Sequence, residues 1–182
     1  MKEVDVDLAK HYLENARFEL ARLKKLAEGA MAQLPDEAAF HRSLDAESNS
    51  VAVLIQHLSG NMVSRFTDFL LSDGEKPQRQ RDREFESSPA RTREELMAMW
   101  ERGFACASES LDSLAPGDLD RTLLIRGEEH TVTEALQRHL VHCAYHVGQI
   151  VMLAKHLAAS RWKSLSIPRG KSQDSVGRYK KL

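Results

Sequence analysis

Hydrophobic residues recur every three or four positions along two long segments in the first half of the chain, the period of an amphipathic α-helix. The first predicted helix covers residues 6–34 and ends at Pro35. The second covers residues 51–71, with Ser50 as its N-terminal cap and Gly74 just beyond its end. The first half of the chain is therefore predicted to be helical.

The second half has the same periodicity, and each helix there begins with a capping box. Residues 92–95 open a predicted helix that runs to about Leu114, and residues 131–134 open one that runs to about Leu157. Between them, residues 121–132 hold two short apolar runs around a glycine, which could pair as a small hairpin.

Four amphipathic helices without a convincing sheet predict an all-α fold, a four-helix bundle in which metal sites are built from side chains on facing helices. The two long connections favour a crossover topology over a simple up-down-up-down order. We expect residues 1–159 to form the bundle, with a long polar loop over residues 74–91. Residues 160–182 are expected to be a C-terminal coil tail packing on or near it.

Composition narrows the function classes. A net charge of −1 gives no long-range field for nucleic acid, and no apolar run is long enough to cross a membrane. The first residues lack the apolar core of a signal peptide, and the chain has only two cysteines. We therefore expect a cytoplasmic protein with a small-molecule partner, and neither a nucleic-acid nor a membrane partner.

Two histidines four residues apart, His142 and His146, carry the main chemical signal. Residues at this spacing project from one face of a helix, so two imidazoles can close on one metal ion. The glutamate of a metalloprotease HExxH motif is absent beside His142. A third ligand is then needed, and His57 qualifies because a histidine in its apolar surroundings is otherwise costly.

Other readings of these histidines stay open. His139 lies three residues before His142 and could by geometry be a fourth ligand. Cys143 points about 100° away from its neighbour His142 around the helix, which disfavours it as a ligand. The triad could also be a polar cluster in the core of a purely structural bundle.

Several polar residues could surround such a site. Asn61 and Gln149 lie about one helical turn from His57 and His146, where they could orient a ligand. Five charged residues could line the mouth, although each type is more often a surface ion-pair residue: Arg65, Asp68, Arg81, Asp82 and Glu84. We expect the last three to fold back onto the helices and to pair with Arg65 or Asp68.

Four segments resemble the DinB/YfiT-like superfamily of metalloenzymes, specifically its domain of unknown function 1572 branch. They are residues 57–62 with 64–69, residues 73–77 with 81–85, residues 142–149 and residues 165–172. The resemblance implies an up-down-down-up bundle, a homodimer, and a zinc or nickel ion held by His57, His142 and His146. Phe66 stands where the resemblance leads us to expect Trp, which bears on packing.

Superfamily relatives suggest a metal-dependent enzyme, either a hydrolase or a transferase of a low-molecular-weight thiol. Three neutral histidines with an open fourth position are typical of a catalytic zinc site. The alternative is a protein that binds a metal or small molecule without catalysis.

Overall fold

The computed structural model describes residues 6–86 and 91–173, and this part of the chain is mostly helical. Its α-helices are α1 Val6–Met31, α2 Ala38–His41, α3 Val51–Phe66, α4 Arg93–Ser113 and α5 Val132–Ala158. Its strands are β1 Thr122–Ile125 and β2 Glu128–Thr131. The fold is thus predominantly α-helical with one small sheet.

The predicted helix starts are confirmed at three positions. The Ser50 side chain caps α3. Reciprocal capping boxes open α4, between Thr92 and Glu95, and α5, between Thr131 and Glu134. Each cap satisfies backbone N–H groups that would otherwise lack a partner, which is why the local sequence fixes these starts.

Two local predictions differ from the structure. Helix α3 ends at Phe66 rather than near Leu71, because Thr67 is extended and Asp68 adopts a positive φ of 49°. The connection after α1 also contains the short helix α2, which the polar sequence there did not indicate. Phe40 of α2 is fully buried, so tertiary packing rather than local periodicity accounts for this turn of helix.

The four long helices enclose one hydrophobic core. Helix α1 packs on α5 and α4, and α3 packs on α4 and α5. Helices α3 and α4 approach each other closely at Gly103, where an added Cβ atom would lie 2.9 Å from Ser59 Cα. Trp100 and Phe104 fill the core on either side of this glycine.

The predicted hairpin is present, and it fixes the loop that follows α3. Strands β1 and β2 pair antiparallel around Arg126 and Gly127, both with positive φ as a type I′ turn requires. Gly74 N–H donates to the Leu124 carbonyl at 2.8 Å. The Asp73 carboxylate accepts from the N–H groups of Arg126 and Gly127 at 2.9 and 2.7 Å.

The chain after α5 returns to the helices over its described part. Trp162 and Leu165 pack against the core. The Gln33 side chain accepts from Lys163 N–H at 2.7 Å and donates to its carbonyl at 3.0 Å. Residues 174–182 of the predicted tail lie outside the described residues, and the division at residue 159 stays a prediction.

Among the described helices, none is both long and apolar enough to cross a membrane.

Candidate metal centre

Three histidine side chains from two helices lie together. His57 comes from the middle of α3, and His142 and His146 come from one face of α5. The Nε2 atom of His142 lies 3.1 Å from the Nε2 atoms of both His57 and His146. The potential ligand atoms of the three lie within 4.8 Å of one another, so the group could hold a metal ion.

The spacing of these nitrogens matches a metal site. Zinc binds imidazole nitrogen at about 2.0–2.1 Å, so two ligands at a tetrahedral angle have nitrogens about 3.3 Å apart. The two 3.1 Å separations are close to that value. The rings of His57 and His146 are also 4.9 Å apart, with an interplanar angle of 72°. The predicted convergence of the three rings is therefore present.

In the rings of His57 and His146, a hydrogen bond at Nδ1 determines which nitrogen keeps a lone pair for a metal. His57 Nδ1 lies 2.9 Å from Glu84 Oε2, and His146 Nδ1 lies 2.9 Å from Gln149 Oε1. Both oxygens are acceptors, so each Nδ1 carries the proton and each Nε2 keeps a lone pair that faces His142. Partners of this kind orient metal-binding histidines and increase their basicity.

The third ring cannot satisfy all the hydrogen-bonding groups by itself. Nδ1 of His142 is buried and has no hydrogen-bond partner among the described residues. If His142 is protonated at Nδ1, the Nε2 lone pairs of all three histidines face one another. If it is protonated at Nε2, it can donate to only one neighbour, and Nδ1 becomes a buried acceptor without a donor. In the first case a cation between the rings accepts all three Nε2 lone pairs, while Nδ1–H of His142 lacks an acceptor among the described residues.

Glu84 is held in place by a buried arginine. Arg79 Nε and Nη2 each lie 2.8 Å from a Glu84 oxygen, a bidentate pair, and Arg79 Nη1 also reaches Glu75 at 3.2 Å. Burial raises the pKa of Glu84, but the bonds from Arg79 and His57 outweigh it and leave that pKa below its ordinary value. The Glu84 carboxylate is therefore ionised and fully engaged.

A glycine makes room for this carboxylate. Gly60 lies on α3, and a Cβ atom built on it would lie 2.8 Å from Glu84 Cδ, closer than non-bonded carbons approach. Phe85, which follows Glu84 in the sequence, stacks against His57 with ring centroids 4.6 Å apart. The loop thus closes over the His57 side of the site.

Two of the three rings are held neutral. Burial, followed by the charges of His146 and His57, lowers the pKa of His142 to about 3. Burial also lowers the pKa of His146, with the hydrogen bond that His146 donates to Gln149 opposing the shift. Near neutral pH these imidazoles are uncharged, with one nitrogen of each ring free of a proton, and this is the form in which histidine binds metals.

Two cavities flank the Glu84 loop. A cavity of about 180 Å³ is lined by His57, His142 and several arginines, and gives access to the triad. A larger one of about 460 Å³ lies against Glu84 and Gln56, but its lining contains none of the three histidines. The smaller cavity is therefore the one in which a ligand can reach the triad.

Not all the predicted pocket residues lie at this site. Asn61, Arg65 and Arg81 line the smaller cavity, whereas the Asp82 side chain is fully exposed and Asp68 is exposed on the surface. Asp68 and Asp82 therefore do not contribute to this cavity.

The predicted ion pairs of the loop also differ. Glu84 folds back as expected, but it pairs with Arg79 rather than with Arg65. Arg81 pairs with Asp82 at 3.6 Å and stacks on Phe85, so it pairs with neither predicted partner.

His139 is buried and lines the same smaller cavity, but its ring makes different contacts from the three histidines of the triad. Its ring packs on Phe66 at 4.6 Å, and its Nε2 lies 3.3 Å from Cys143 Sγ. Burial lowers the pKa of His139 to about 3 and raises that of Cys143 to about 12. Neither residue belongs to the metal-ligating group found among the described residues.

Sequence reasoning missed the arginine and the second glutamate that fix the loop. Glu75 contacts both Arg79 and Arg126 at 3.2 Å, linking the loop to the hairpin. The spacing of Glu75 and Arg79 is that of an i,i+4 pair, but the segment is not helical, so helical periodicity gave no signal.

Comparison with protein families places the chain in a group without an assigned activity. Residues 7–171 match the family described as Protein of unknown function (DUF1572). The chain belongs to this family. Searches of curated proteins and of solved structures find no significant match.

Proposed function

We propose that His57, His142 and His146 bind one divalent ion, zinc or nickel, and that this family is a branch of the DinB-like metalloenzyme superfamily. The observation that carries the proposal is the pair of Nδ1 hydrogen bonds, to Glu84 and Gln149, which leave two Nε2 lone pairs directed at His142 Nε2. Three imidazoles and an open position are the donor set of a catalytic zinc.

Contacts between the helices support the up-down-down-up topology of that superfamily. Tyr12 near the start of α1 bonds to Thr133 at the start of α5, so these helices run parallel. Ser110 near the end of α4 bonds to the carbonyl of Phe66 at the end of α3, so this second pair also runs parallel. Arg17 of α1 bonds to the carbonyl of Leu111 late in α4, so the two pairs run in opposite directions.

We further propose that the protein is an enzyme, either a hydrolase or a transferase of a low-molecular-weight thiol. A bound zinc or nickel ion supplies Lewis-acid chemistry, which lowers the pKa of water or of a thiol. The chain contributes Glu84 and Gln149, which orient two ligand rings, and the arginine-lined cavity, which receives the substrate.

One observation favours the alternative, a non-catalytic binding protein. Glu84 is the carboxylate nearest the triad in the bonding network, and Arg79 and His57 already occupy both its oxygens. No aspartate or glutamate lines the smaller cavity among the described residues. A reaction that needs a free side-chain base would therefore not be supported.

The first test is metal content. Protein purified without chelators should contain close to one zinc or nickel per chain by elemental analysis, and removal by a chelator should be reversible. A protein that neither retains nor takes up either metal would refute the proposal.

The second test separates enzyme from binding protein. Metal-loaded and stripped protein are compared in ester hydrolysis and in conjugation of a small thiol to an electrophile. Turnover that disappears on stripping and returns on reloading supports the enzyme. Tight metal binding without turnover in either assay supports the alternative.

The partners and location remain proposals as well. We propose a homodimer that acts on a small molecule in the cytoplasm, without a nucleic-acid or membrane partner. Light scattering coupled to size exclusion measures the oligomeric state, and a monomer at micromolar concentration would contradict the dimer.

A further inference from the structure

The cavity beside the triad is unusually rich in positive charge. Its lining includes five arginines and, among the described residues, no carboxylate: Arg65, Arg79, Arg81, Arg126 and Arg138. They come from α3, the loop after it, the hairpin and α5, so four separate parts of the chain contribute arginines to one cavity. Like charges that converge on a cleft cost free energy unless a ligand compensates them.

Three of these arginines already have a carboxylate partner. Arg79 pairs with Glu84 and Glu75, Arg126 shares Glu75, and Arg81 contacts Asp82.

The other two arginines, Arg65 and Arg138, have no ion pair or side-chain hydrogen bond within the described part of the chain. Nη1 of Arg65 is moreover buried without a partner. Burial and the charges of the neighbouring arginines, with Glu75 opposing, lower the pKa of Arg65 to about 10. It nevertheless stays protonated near neutral pH.

A neutral donor completes the arrangement. Asn61 lines the same cavity and is only 7% exposed, yet its side chain has no hydrogen bond to the described residues. The amide atoms themselves are not buried, so they are accessible to a ligand in this cavity. The cavity thus contains two unpaired guanidinium groups and an unpaired amide beside His57 and His142.

We infer that this cavity binds the oxyanion group of a small substrate, a carboxylate or a phosphate, and places the rest of that molecule against the triad. Guanidinium groups match both anions because their N–H donors form paired bonds to two oxygens. The volume of about 180 Å³ is below that of most ligand sites, so it fits an anionic group with few further atoms. This inference rests on the proposed function, because it names the substrate class of the same site.

The test uses malonate and inorganic phosphate as probes, titrated calorimetrically into the full chain after chelator treatment. Arg138→Gln and Arg65→Gln should each weaken binding by about tenfold, since hydrogen bonds to charged groups are strong. Arg102→Gln is the matched control, because Arg102 is exposed on α4, does not line the cavity and undergoes the same loss of charge. Circular dichroism establishes that each variant is folded, and the exposed Arg138 is the safer of the two test positions.

The two probes distinguish the sources of the anion. Tighter binding of malonate indicates a carboxylate substrate, and tighter binding of phosphate indicates a phosphate ester. The inference is overturned if neither probe binds. It is also overturned if Arg138→Gln and Arg65→Gln weaken binding no more than Arg102→Gln does.

His146→Ala separates this inference from the metal proposal. It removes a proposed metal ligand but leaves the arginines in place, so the stripped variant should bind the probes like the parent. Addition of zinc should tighten anion binding in the parent and not in His146→Ala. Anion binding without any metal uptake would refute the metal proposal alone, whereas metal uptake without anion binding would refute this inference alone.

Discussion

Helix α5 carries two pairs of potential ligands with the same i,i+4 spacing, His139 with Cys143 and His142 with His146. His139 and His146 are almost equally buried, at 5% and 7% exposed. Their surroundings differ: His139 packs on Phe66, whereas His146 faces His142 and a hydrogen-bonding amide. Burial and spacing therefore do not distinguish a ligand from a core histidine, but the partner at the second ring nitrogen does.

The largest expected effect comes from removing a ligand. His146→Ala should weaken zinc binding by more than about 100-fold, since loss of an outer hydrogen-bond partner alone costs 10–100-fold. His139→Leu should leave zinc affinity within about threefold, because His139 makes no contact with the triad nitrogens. Competition with a chelator of known affinity measures both.

His156→Ala is the control for the first variant, since His156 lies ten residues beyond His146 on the same helix. Equal loss of zinc from the two alanine variants would show that the triad is not the metal site.

The second effect should come from the outer partner of His57. Glu84→Gln keeps the shape of the side chain but removes its charge, so zinc affinity should fall by about 10–100-fold. Asp82→Asn makes the same change two residues away on a fully exposed side chain and should have no effect. If the two variants bind zinc equally well, Glu84 does not support the site.

A smaller effect is expected from the glycine that accommodates Glu84. Gly60→Ala should displace the carboxylate from His57 and weaken zinc binding by about three- to tenfold. The free energy of unfolding should change little, since the preference of helices for alanine over glycine, about 1 kcal/mol, opposes the weakening of the Glu84 contacts.

Gly148→Ala on α5 is the matched control for this variant, because a Cβ atom there would meet nothing within 4 Å. Loss of zinc affinity in both glycine variants, or in neither, would contradict the role given to Gly60.

The last prediction concerns the stability of the fold in acid and tests His139, the core histidine of the comparison. The pKa of His139 is about 3 in the fold and about 6.5 in the unfolded chain. The unfolded state therefore binds a proton that the folded state does not, and stability present above pH ~6.5 is lost as the pH falls towards 3. The free energy of unfolding falls by about 1.4 kcal/mol per pH unit over this range for each such histidine.

In metal-free protein, His139→Leu should lower the slope of the free energy of unfolding against pH by about 1.4 kcal/mol per pH unit, the contribution of one proton. Urea unfolding between pH ~4 and pH ~7 measures it. An unchanged slope would mean that His139 is protonated within the fold.

The sequence predicts those parts of the fold and site that depend on local pattern. Capping residues such as Thr92 and Thr131 act on the next turn of helix, so the helix starts were predictable. The end of α3 was not, because the backbone turn at Asp68 accompanies a loop that Asp73 fixes to the hairpin. That tertiary contact has no local signature.

The same distinction applies to the site. The convergence of the three histidines was predictable, because helical spacing aligns His142 with His146 and the apolar setting of His57 is visible in the sequence. The pair of Glu84 with Arg79 was not predictable, because the conformation of the intervening loop depends on Ser64, Gln56 and the hairpin.

The bond from Asp73 to the hairpin turn has a kinetic consequence. It joins residues 54 positions apart, from Gly127 N–H to the Asp73 carboxylate, so it can form only when the chain between them, which includes α4, has folded back on itself. The loop that carries Glu84 is also held by Ser64 and Gln56 of α3, and the bond from Asp73 completes its attachment when the hairpin docks. We therefore expect refolding to assemble the helices first and to complete the environment of His57 in a slower, final phase.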